Sequence, residues 1–408
     1  MKSSSHCVAA IAAALVLSVF AHPGQTQDAL CTDGYAPFDY KFATGVTVNV
    51  GPAKSGQFAQ RTCSASLSWE KQQLVVATDA AQIDVDLLGA DLGMNGPVVA
   101  FQVRKLDSDA LTTYQVYSLE RPPRLLRTIS GAENFTTGDV ELDGRVAIWA
   151  DDTGVLDGID GLPRNAFAAA PVMVLRFEEG KLVDAGSEFQ TVFDPEILRL
   201  RSGLDPQAAA EFKKSDALPH QSAEDGASLR LLDVKANVLG LVWLFLYSGR
   251  EPDAWATLAD YWPPADVDRI RSVIRARIAK GLRSQVDGIS THVPAKSEIK
   301  KAPVFDQTNG VSRAMGGVEF ERSGVDQIPK GIRLKRPEPE NGAQAPRQAR
   351  ERLDLLVDSA GKVRAAAMAP GENDDALVDA ARQWKFIPAF RGGRAVACRF
   401  RMFVEPYR

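Results

Sequence analysis

Four residues of the stretch DVELDG have the spacing of a metal-binding loop. Asp139, Glu141 and Asp143 stand at positions 1, 3 and 5 of a calcium-loop pattern, and Gly144 stands at position 6. A tight turn at the glycine would fold the three carboxylates around one ion. Alanines occupy positions 9 and 12, where a calcium loop has further ligands. The spacing therefore makes calcium a weak candidate ligand, and an acidic surface turn is the interpretation that the whole pattern favours.

A second acidic segment is DVDLLGADLG. In and just before it, Ile83, Val85 and Leu87 alternate with Asp84 and Asp86. A period of two is that of a β-strand, whose successive side chains point to opposite faces. We therefore expect a strand with its two aspartates on a solvent-facing side, and no metal site.

The sequence offers little for catalysis. Three histidines follow the N-terminal apolar run, namely His22, His220 and His292, and the last two lie in polar loop sequence. The patterns G-x-S-x-G, H-E-x-x-H and C-x-x-C are absent, and so is a glycine-rich phosphate loop. We predict a protein that is not an enzyme. A hydrolase in the β-rich part, with a carboxylate pair or with His220 in a Ser-His-Asp site, stays open as an alternative.

The N-terminus predicts export. Lys2 precedes the apolar run CVAAIAAALVLSVFA, which is short for a membrane span, and small residues precede a cleavage point after Ala21. Residues 1–21 are therefore predicted to be a cleaved signal peptide, and the mature protein is predicted to be periplasmic. An uncleaved inner-membrane anchor is the alternative.

Cysteine usage agrees with an oxidising compartment. Removal of the signal peptide leaves Cys31, Cys63 and Cys398. Cys31 and Cys63 could close a loop as a disulfide, although the sequence does not settle their pairing. Cys398 lies on the apolar side of an alternating pattern, so we expect it to be a buried free thiol.

The chain changes character several times along its 408 residues. Its apolar content of 45% and net charge of −4 are ordinary for a globular protein, and its length suggests two or three domains. The predicted parts are a β-rich N-terminal domain (28–230), a helical hairpin plus helix (231–288), a Pro-containing linker (289–345) and a small β-β-α-β domain (346–408). The predicted fold class is multidomain α+β, with the linker flexible.

The β-β-α-β order rests on three patterns near the C-terminus. Apolar residues alternate in LDLLV, the turn DSAG follows, and a second strand starts at Val363. Leu377, Ala381 and Trp384 then lie on one stripe of a helix that must end before Pro388. The last strand alternates the apolar residues Val396, Cys398, Phe400, Met402 and Val404 with Ala397, Arg399, Arg401 and Phe403.

Three segments of this region together resemble the C-terminal domain of TonB, the energy transducer of Gram-negative envelopes. They are LDLLVDSAGKV (353–363), DALVDAARQWKFIPA (375–389) and GGRAVACRFRMFV (392–404). The resemblance covers about 60 residues and implies structural roles for Gly361 in the hairpin turn and for Trp384, Phe386 and Pro388 at the helix exit. It also implies that a receptor peptide adds to the edge strand of the sheet.

The implied partner-binding residues on this edge strand are Val396, Cys398, Arg399, Phe400, Arg401 and Met402. Arg399 and Arg401 are expected to face the partner or solvent. From residue 330 onward 16 basic residues stand against 10 acidic ones, but they are spread over strands and helix, so no nucleic-acid partner is predicted.

The functional prediction is an exported envelope protein that docks a protein partner, such as an outer-membrane receptor, by strand addition. A membrane-anchored energy transducer for outer-membrane transport is one alternative, which requires residues 1–21 to remain as an anchor. A periplasmic hydrolase or a calcium-dependent binding protein is the other. No cofactor is expected apart from the weak calcium candidate.

Overall fold

The computed structural model describes most of the chain between residues 31 and 404. The described residues are 31–32, 37–53, 62–94, 96–106, 111–217, 226–292, 326–327, 329–334, 351–369 and 374–404. They form strands in several sheets together with six helices, which fits the α+β class. The predicted signal peptide, His22, His220 and most of the predicted linker lie outside these residues. No described helix combines the length and the apolar character that a membrane crossing requires.

The first sheet is built mainly from consecutive antiparallel strands. Its order is β2-β3-β4-β5-β6-β7-β8, and β1 pairs with β5 outside this path. The strands are β1 (Cys31–Thr32), β2 (Phe38–Lys41), β3 (Thr47–Pro52), β4 (Cys63–Trp69), β5 (Gln72–Asp91), β6 (Pro97–Lys105), β7 (Thr112–Ser118) and β8 (Leu125–Ala132). Alternating apolar residues such as Val48, Leu67 and Phe101 form its core. A disulfide joins Cys31 to Cys63 beside this core.

A second sheet and five helices follow. The sheet order is β13-β12-β11-β10-β9. Its strands are β9 (Phe135–Gly138), β10 (Ala147–Asp151), β11 (Val172–Glu178), β12 (Lys181–Asp184) and β13 (Gly288–Ile289). The helices are α1 (Gln190–Gly203), α2 (Pro206–Lys213), α3 (Gly226–Tyr247), α4 (Glu251–Tyr261) and α5 (Val267–Lys280). Asp205 caps α2 by accepting from two of its first N–H groups, and Gly249, at φ 72°, makes the turn between α3 and α4.

The C-terminal part contains three small sheets and one helix. The elements are β14 (Lys330–Arg333), β15 (Glu351–Val357), β16 (Val363–Met368), α6 (Asp375–Ala381), β17 (Lys385–Ile387), β18 (Ala389–Arg391), β19 (Arg394–Val396) and β20 (Cys398–Val404). One sheet has the order β16-β15-β20, while β14 pairs with β17 and β18 with β19. The predicted β-β-α-β order is present with three extra short strands, β17, β18 and β19, between the helix and the last strand.

The C-terminal helix is shorter than its sequence stripe predicts. Asp374 caps α6, but the helix ends at Ala381, so that Trp384 and Lys385 lie beyond it. The chain leaves the helix because Lys385–Ile387 becomes a strand: β17 pairs with β14, and the Phe386 N–H donates to the carbonyl of Gly361. These contacts are with distant residues and outweigh the local helical stripe.

Packing divides the chain differently from the predicted linear domains. A helical unit contains residues 129–135 and 149–293, and a sheet unit contains residues 27–128, 136–148 and 294–408. The limits of these compact units differ from the predicted boundaries at 230, 288 and 345. Part of the predicted linker is ordered structure, because β14 lies within it and pairs with β17. Within the sheet unit, the C-terminal segments pack beside the first sheet.

Candidate functional site

The strand β20 ends the three-stranded sheet of the C-terminal part. It pairs with β15 at seven consecutive positions, from Glu351 opposite Val404 to Val357 opposite Cys398. Among the described residues, no strand pairs with the other edge of β20. A strand with one unpaired edge presents main-chain donors and acceptors that an extended peptide can meet.

One face of β20 belongs to the core of this small sheet. Phe400 and Val404 are buried in a cluster with Leu353, Trp384 and Phe386. The rings of Phe386 and Phe400 meet edge to face, with centroids 5.5 Å apart. Trp384 and Phe386 thus pack helix α6 and β17 against the sheet. Their contacts hold this face of β20 in the small core.

The other face of β20 is not the open basic surface that the sequence suggested. Arg401 donates from Nε and Nη2 to the two carboxylate oxygens of Asp354, its cross-strand partner, at 2.5 and 2.7 Å. Both side chains are almost fully buried. The expectation that Arg401 faces a partner or solvent is wrong, because a buried carboxylate on β15 requires a cation beside it. Arg399 is half-buried.

Two further predicted contact residues are placed differently. Val396 belongs to β19 and pairs with Ala389, so it is not on the docking strand. Cys398 is a buried free cysteine, and burial raises the pKa of its thiol to about 12. The Cys398 side chain is therefore not presented to a partner, and Val396 is half-buried. The exposed apolar residue of β20 is instead Phe403, with 55% of its surface accessible, which the family pattern did not single out.

The turn between β15 and β16 is fixed by glycine and by one aspartate. Gly361 has φ 81°, and a Cβ there would lie 1.9 Å from the carbonyl oxygen of Phe386. The carboxylate of Asp358 accepts from the N–H groups of Ala360 and Lys362. The role expected for Gly361 is therefore a close main-chain approach in addition to a left-handed conformation.

The acidic loop at Asp139 has a structural partner in this turn. The Asp139 carboxylate accepts from the N–H groups of Asp143 and Gly144 and from the hydroxyl of Ser359, at 2.8–3.1 Å. The Asp139 N–H donates to Asp358 at 2.9 Å. Burial raises the pKa of Asp139 and raises that of Asp358 to about 6.

The loop does not assemble the predicted calcium ligands. In the described ranges, no group of three or more His, Cys, Asp or Glu side chains is arranged to hold a metal ion. Asp139, Glu141 and Asp143 are therefore not brought together as a cation site. Both oxygens of Asp139 instead accept hydrogen bonds, from its own turn and from Ser359.

The largest departure from the sequence prediction is a buried group of four charges. Asp84 and Asp86, predicted to face solvent, are only 6% and 4% exposed. Lys385 on β17 forms an ion pair with Asp84, and Lys362 donates to Asp86 at 2.5 Å. We refer to these four residues as the charge cluster. It joins β5 to residues some 280 to 300 positions later in the chain.

The two aspartates and the two lysines have a similar spacing. Asp84 and Asp86 stand two residues apart on one face of β5. Lys362 and Lys385 face each other across an antiparallel bridge, so their side chains also leave neighbouring positions. Tyr114 on β7 adds a hydrogen bond from its hydroxyl to Asp86 at 3.1 Å.

The charges shift one another's protonation. Burial works to raise the pKa of Asp86, but the attraction of Lys362 and Lys385 prevails and holds that pKa below its usual value. Burial likewise works to lower the pKa of Lys362, and Asp86 holds it above its usual value. For Lys385 burial prevails, and its pKa is lowered.

A signal for this burial was present in the sequence. The alternation ends after Asp86, because the apolar residues Leu87 and Leu88 follow directly, and both are buried. The pairing of β5 shifts between Val85 and Leu87, so that Leu88 packs in the first core with Ile83 and Val85. An aspartate pair that runs into a continuous buried apolar stretch indicates buried carboxylates in need of cations.

No protein-family model, curated protein or solved structure matches this chain. The resemblance of residues 353–404 to TonB C-terminal domains therefore rests on their motifs.

Proposed function

We propose that this chain is an exported envelope protein that docks a protein partner by strand addition at β20. The observation that carries the proposal is the position of β20 at the end of its sheet: it pairs with β15 along one edge, and no strand of the described ranges pairs with the other. In strand addition, main-chain hydrogen bonds supply affinity and alternate side chains supply selectivity. Phe403 is the side chain of β20 best exposed for such selection.

The packing behind β20 favours docking without rearrangement of the strand. Phe400 and Val404 fix one face in the small core, and the pair of Arg401 and Asp354 fixes the other. A strand held on both faces loses little conformational freedom when a peptide adds to its edge. The contacts of the C-terminal part with the first sheet would give the docking edge a defined orientation within the sheet unit.

The compartment is supported by the cysteines. The disulfide between Cys31 and Cys63 is of the kind that persists in oxidising compartments such as the periplasm. An outer-membrane receptor with an extended segment would be a fitting partner class. The docking function itself requires only an extended peptide.

Peptide binding tests the proposal. We would measure hydrogen exchange of the full chain with and without extended peptides selected from a random nonapeptide pool. We expect added protection within residues 398–404 and none at β16. Phe403→Lys should weaken binding about tenfold. The matched control is Leu198→Lys, which changes an exposed leucine of the helical unit and should bind peptide normally. Protection elsewhere, or none, would refute docking at β20.

A second experiment tests the compartment. The protein would be sequenced from its N-terminus after soluble periplasm is separated from membranes. A soluble protein that begins near His22 supports a docking protein without an anchor. A membrane-bound protein that still begins at Met1 would replace this proposal by the energy-transducer alternative.

A further inference from the structure

The charge cluster lies where two folded bodies of the sheet unit meet. One body is the first sheet, with its core around Val48, Leu67 and Phe101. The other, here called the C-terminal body, comprises the described residues between 326 and 404 and has its own core around Leu355, Trp384 and Phe400. Because each body has a separate apolar cluster, the small sheet does not depend on the first sheet for its core.

The apolar contact between the two bodies is limited. The C-terminal body contributes Ile387 to the first core, and Ile332 and Phe390 pack against it. Phe390 lies over Gly89 of β5, where a Cβ would come within 2.6 Å of its ring. Polar contacts lie beside this apolar part, such as the bond from Gln327 to the Tyr40 hydroxyl at 3.0 Å. An interface of this mixed kind resembles those at which domains move.

Buried ion pairs at such a contact determine its geometry more than its stability. Moving two charges out of water costs about as much as their attraction returns, so a well-packed apolar replacement is often at least as stable. Loss of one partner, in contrast, leaves an uncompensated buried charge. The contact formed by Asp84, Asp86, Lys362 and Lys385 is thus closed when all four charges are in place and strongly disfavoured when one is missing.

We infer that the charge cluster is a lock that holds the C-terminal body on β5, and that the body leaves β5 in folded form when the lock is broken. The closed state fixes the orientation of the three-stranded sheet relative to the first sheet. The open state would expose the side of β5 that carries Asp84, Asp86 and Gly89. This conformational device is independent of the proposed docking at β20.

A distance measurement tests the lock. Nitroxide labels would be placed at Val75→Cys on β5 and Phe403→Cys on β20, two residues of the sheet unit that are 56% and 55% exposed. Cys7→Ala and Cys398→Ala in the background, together with the disulfide between Cys31 and Cys63, leave the introduced cysteines as the labelling sites. Pulsed electron resonance of the otherwise unchanged chain should give one narrow distance. Lys362→Met with Lys385→Met should lower the closed-to-open ratio by about 100-fold and add a longer, broad component.

Three controls separate opening from other effects. Arg382→Met removes an exposed ion pair with Asp379 on α6 and should keep the single distance. Combining the two lysine changes with Asp84→Leu and Asp86→Leu should restore the single narrow distance, because apolar side chains at all four positions can keep the C-terminal body on β5. Hydrogen exchange of residues 353–357 and 398–404 should stay slow in every variant.

Three outcomes would contradict this inference. One is a single narrow distance in the variant that carries both Lys362→Met and Lys385→Met. Another is equal broadening in the fourfold apolar variant, which would show that charge is not what closes the contact. The third is fast exchange throughout the C-terminal body, which would mean unfolding in place of opening. If the double variant does not fold, Asp86→Asn gives the same test with a smaller expected open component, since asparagine keeps an oxygen for Lys362 and Tyr114.

Discussion

The main-chain N–H of Asp139 donates to the carboxylate of Asp358, and the hydroxyl of the next residue, Ser359, donates back to the carboxylate of Asp139. Two acidic turns that lie 219 positions apart therefore hold each other. Among the described residues, the carboxylates of DVELDG do not form a metal-binding group. Its first carboxylate is used to close its own turn and to hold the hairpin turn of β15 and β16.

Calcium should leave the protein unchanged. Because the described acidic side chains around Asp139 are not arranged to hold a metal ion, millimolar calcium should not raise the thermal unfolding temperature relative to a chelator. Asp139→Ala should destabilise the sheet unit by about 1–3 kcal/mol, since it leaves the buried hydroxyl of Ser359 without its acceptor and removes the bonds from the N–H groups of Asp143 and Gly144. Calorimetry with and without calcium measures both effects. A calcium-dependent rise that Asp139→Ala abolishes would restore the metal-site interpretation.

Gly361→Ala should be far more harmful than alanine at another left-handed glycine. At Gly361 the added Cβ meets the Phe386 carbonyl, whereas at Gly392, with φ 55°, it has nothing within 4 Å. We expect a loss of about 1 kcal/mol for Gly392→Ala from its backbone conformation and at least about 3 kcal/mol for Gly361→Ala. Denaturant midpoints of the two variants provide the comparison. Equal losses would mean that the turn relaxes around the new methyl group.

Arg401→Met should destabilise the C-terminal sheet by about 3–5 kcal/mol, because it leaves the carboxylate of Asp354 buried without its cation. Adding Asp354→Leu should recover most of this loss, since the pair is then replaced by apolar contact. Arg382→Met breaks a solvent-exposed pair and should cost less than about 1 kcal/mol. Chemical unfolding of the single and double variants gives the coupling. If the losses of stability in the two single variants simply added up in the double variant, the result would contradict a buried pair of Arg401 and Asp354.

The disulfide should stabilise the sheet unit through its unfolded state. Cys31 and Cys63 are 32 positions apart, and the loop-entropy relation gives about 4 kcal/mol for a ring of that size. Cys31→Ser with Cys63→Ser should therefore lower the unfolding midpoint strongly, and reductant should have no further effect on this variant. Reductant should destabilise the unaltered chain to the same extent. An unaltered chain that is insensitive to reductant would show that the bond contributes little.

The helical unit should be more stable in mild acid because of Asp151. Burial raises the pKa of this carboxyl to about 6, above its value in an unfolded chain. Between those two pKa values the folded state holds a proton that the unfolded state releases, so the stabilisation is complete below the lower pKa and is lost as pH rises through about 6. Asp151→Asn should thus gain about 2 kcal/mol at pH about 7.5 and nothing at pH about 4. Asn134, which donates to Asp151, keeps an acceptor in this variant. Unfolding over this pH range tests the prediction, and an equal gain at both ends would contradict it.

Local patterns identified most of the C-terminal elements. The alternation in LDLLV, the DSAG turn and the last alternating run became β15, the hairpin turn and β20, because strand periodicity and turn chemistry act over a few residues. The helical stripe predicted α6 but not its early end, since β17 pairs with a strand about 50 positions earlier. The strand β14 within the predicted linker was not predicted for the same reason: polar, proline-rich composition does not reveal a short strand whose pairing partner lies elsewhere in the chain.

The sequence by itself determined the types of local element and the residues that can carry charge. Only the tertiary structure decided which charged side chains are buried and which oppositely charged side chain each of them pairs with. The alternating pattern around Asp84 and Asp86 is compatible with a solvent-facing strand and equally with buried carboxylates that are paired with cations. Lys362 lies in a turn, and Lys385 lies at a predicted helix end. Each side chain is plausible at the surface when its own segment is considered. Their pairing follows from the packing of the C-terminal body on β5, because the cost of burying a charge is offset only when an opposite charge arrives from another part of the chain.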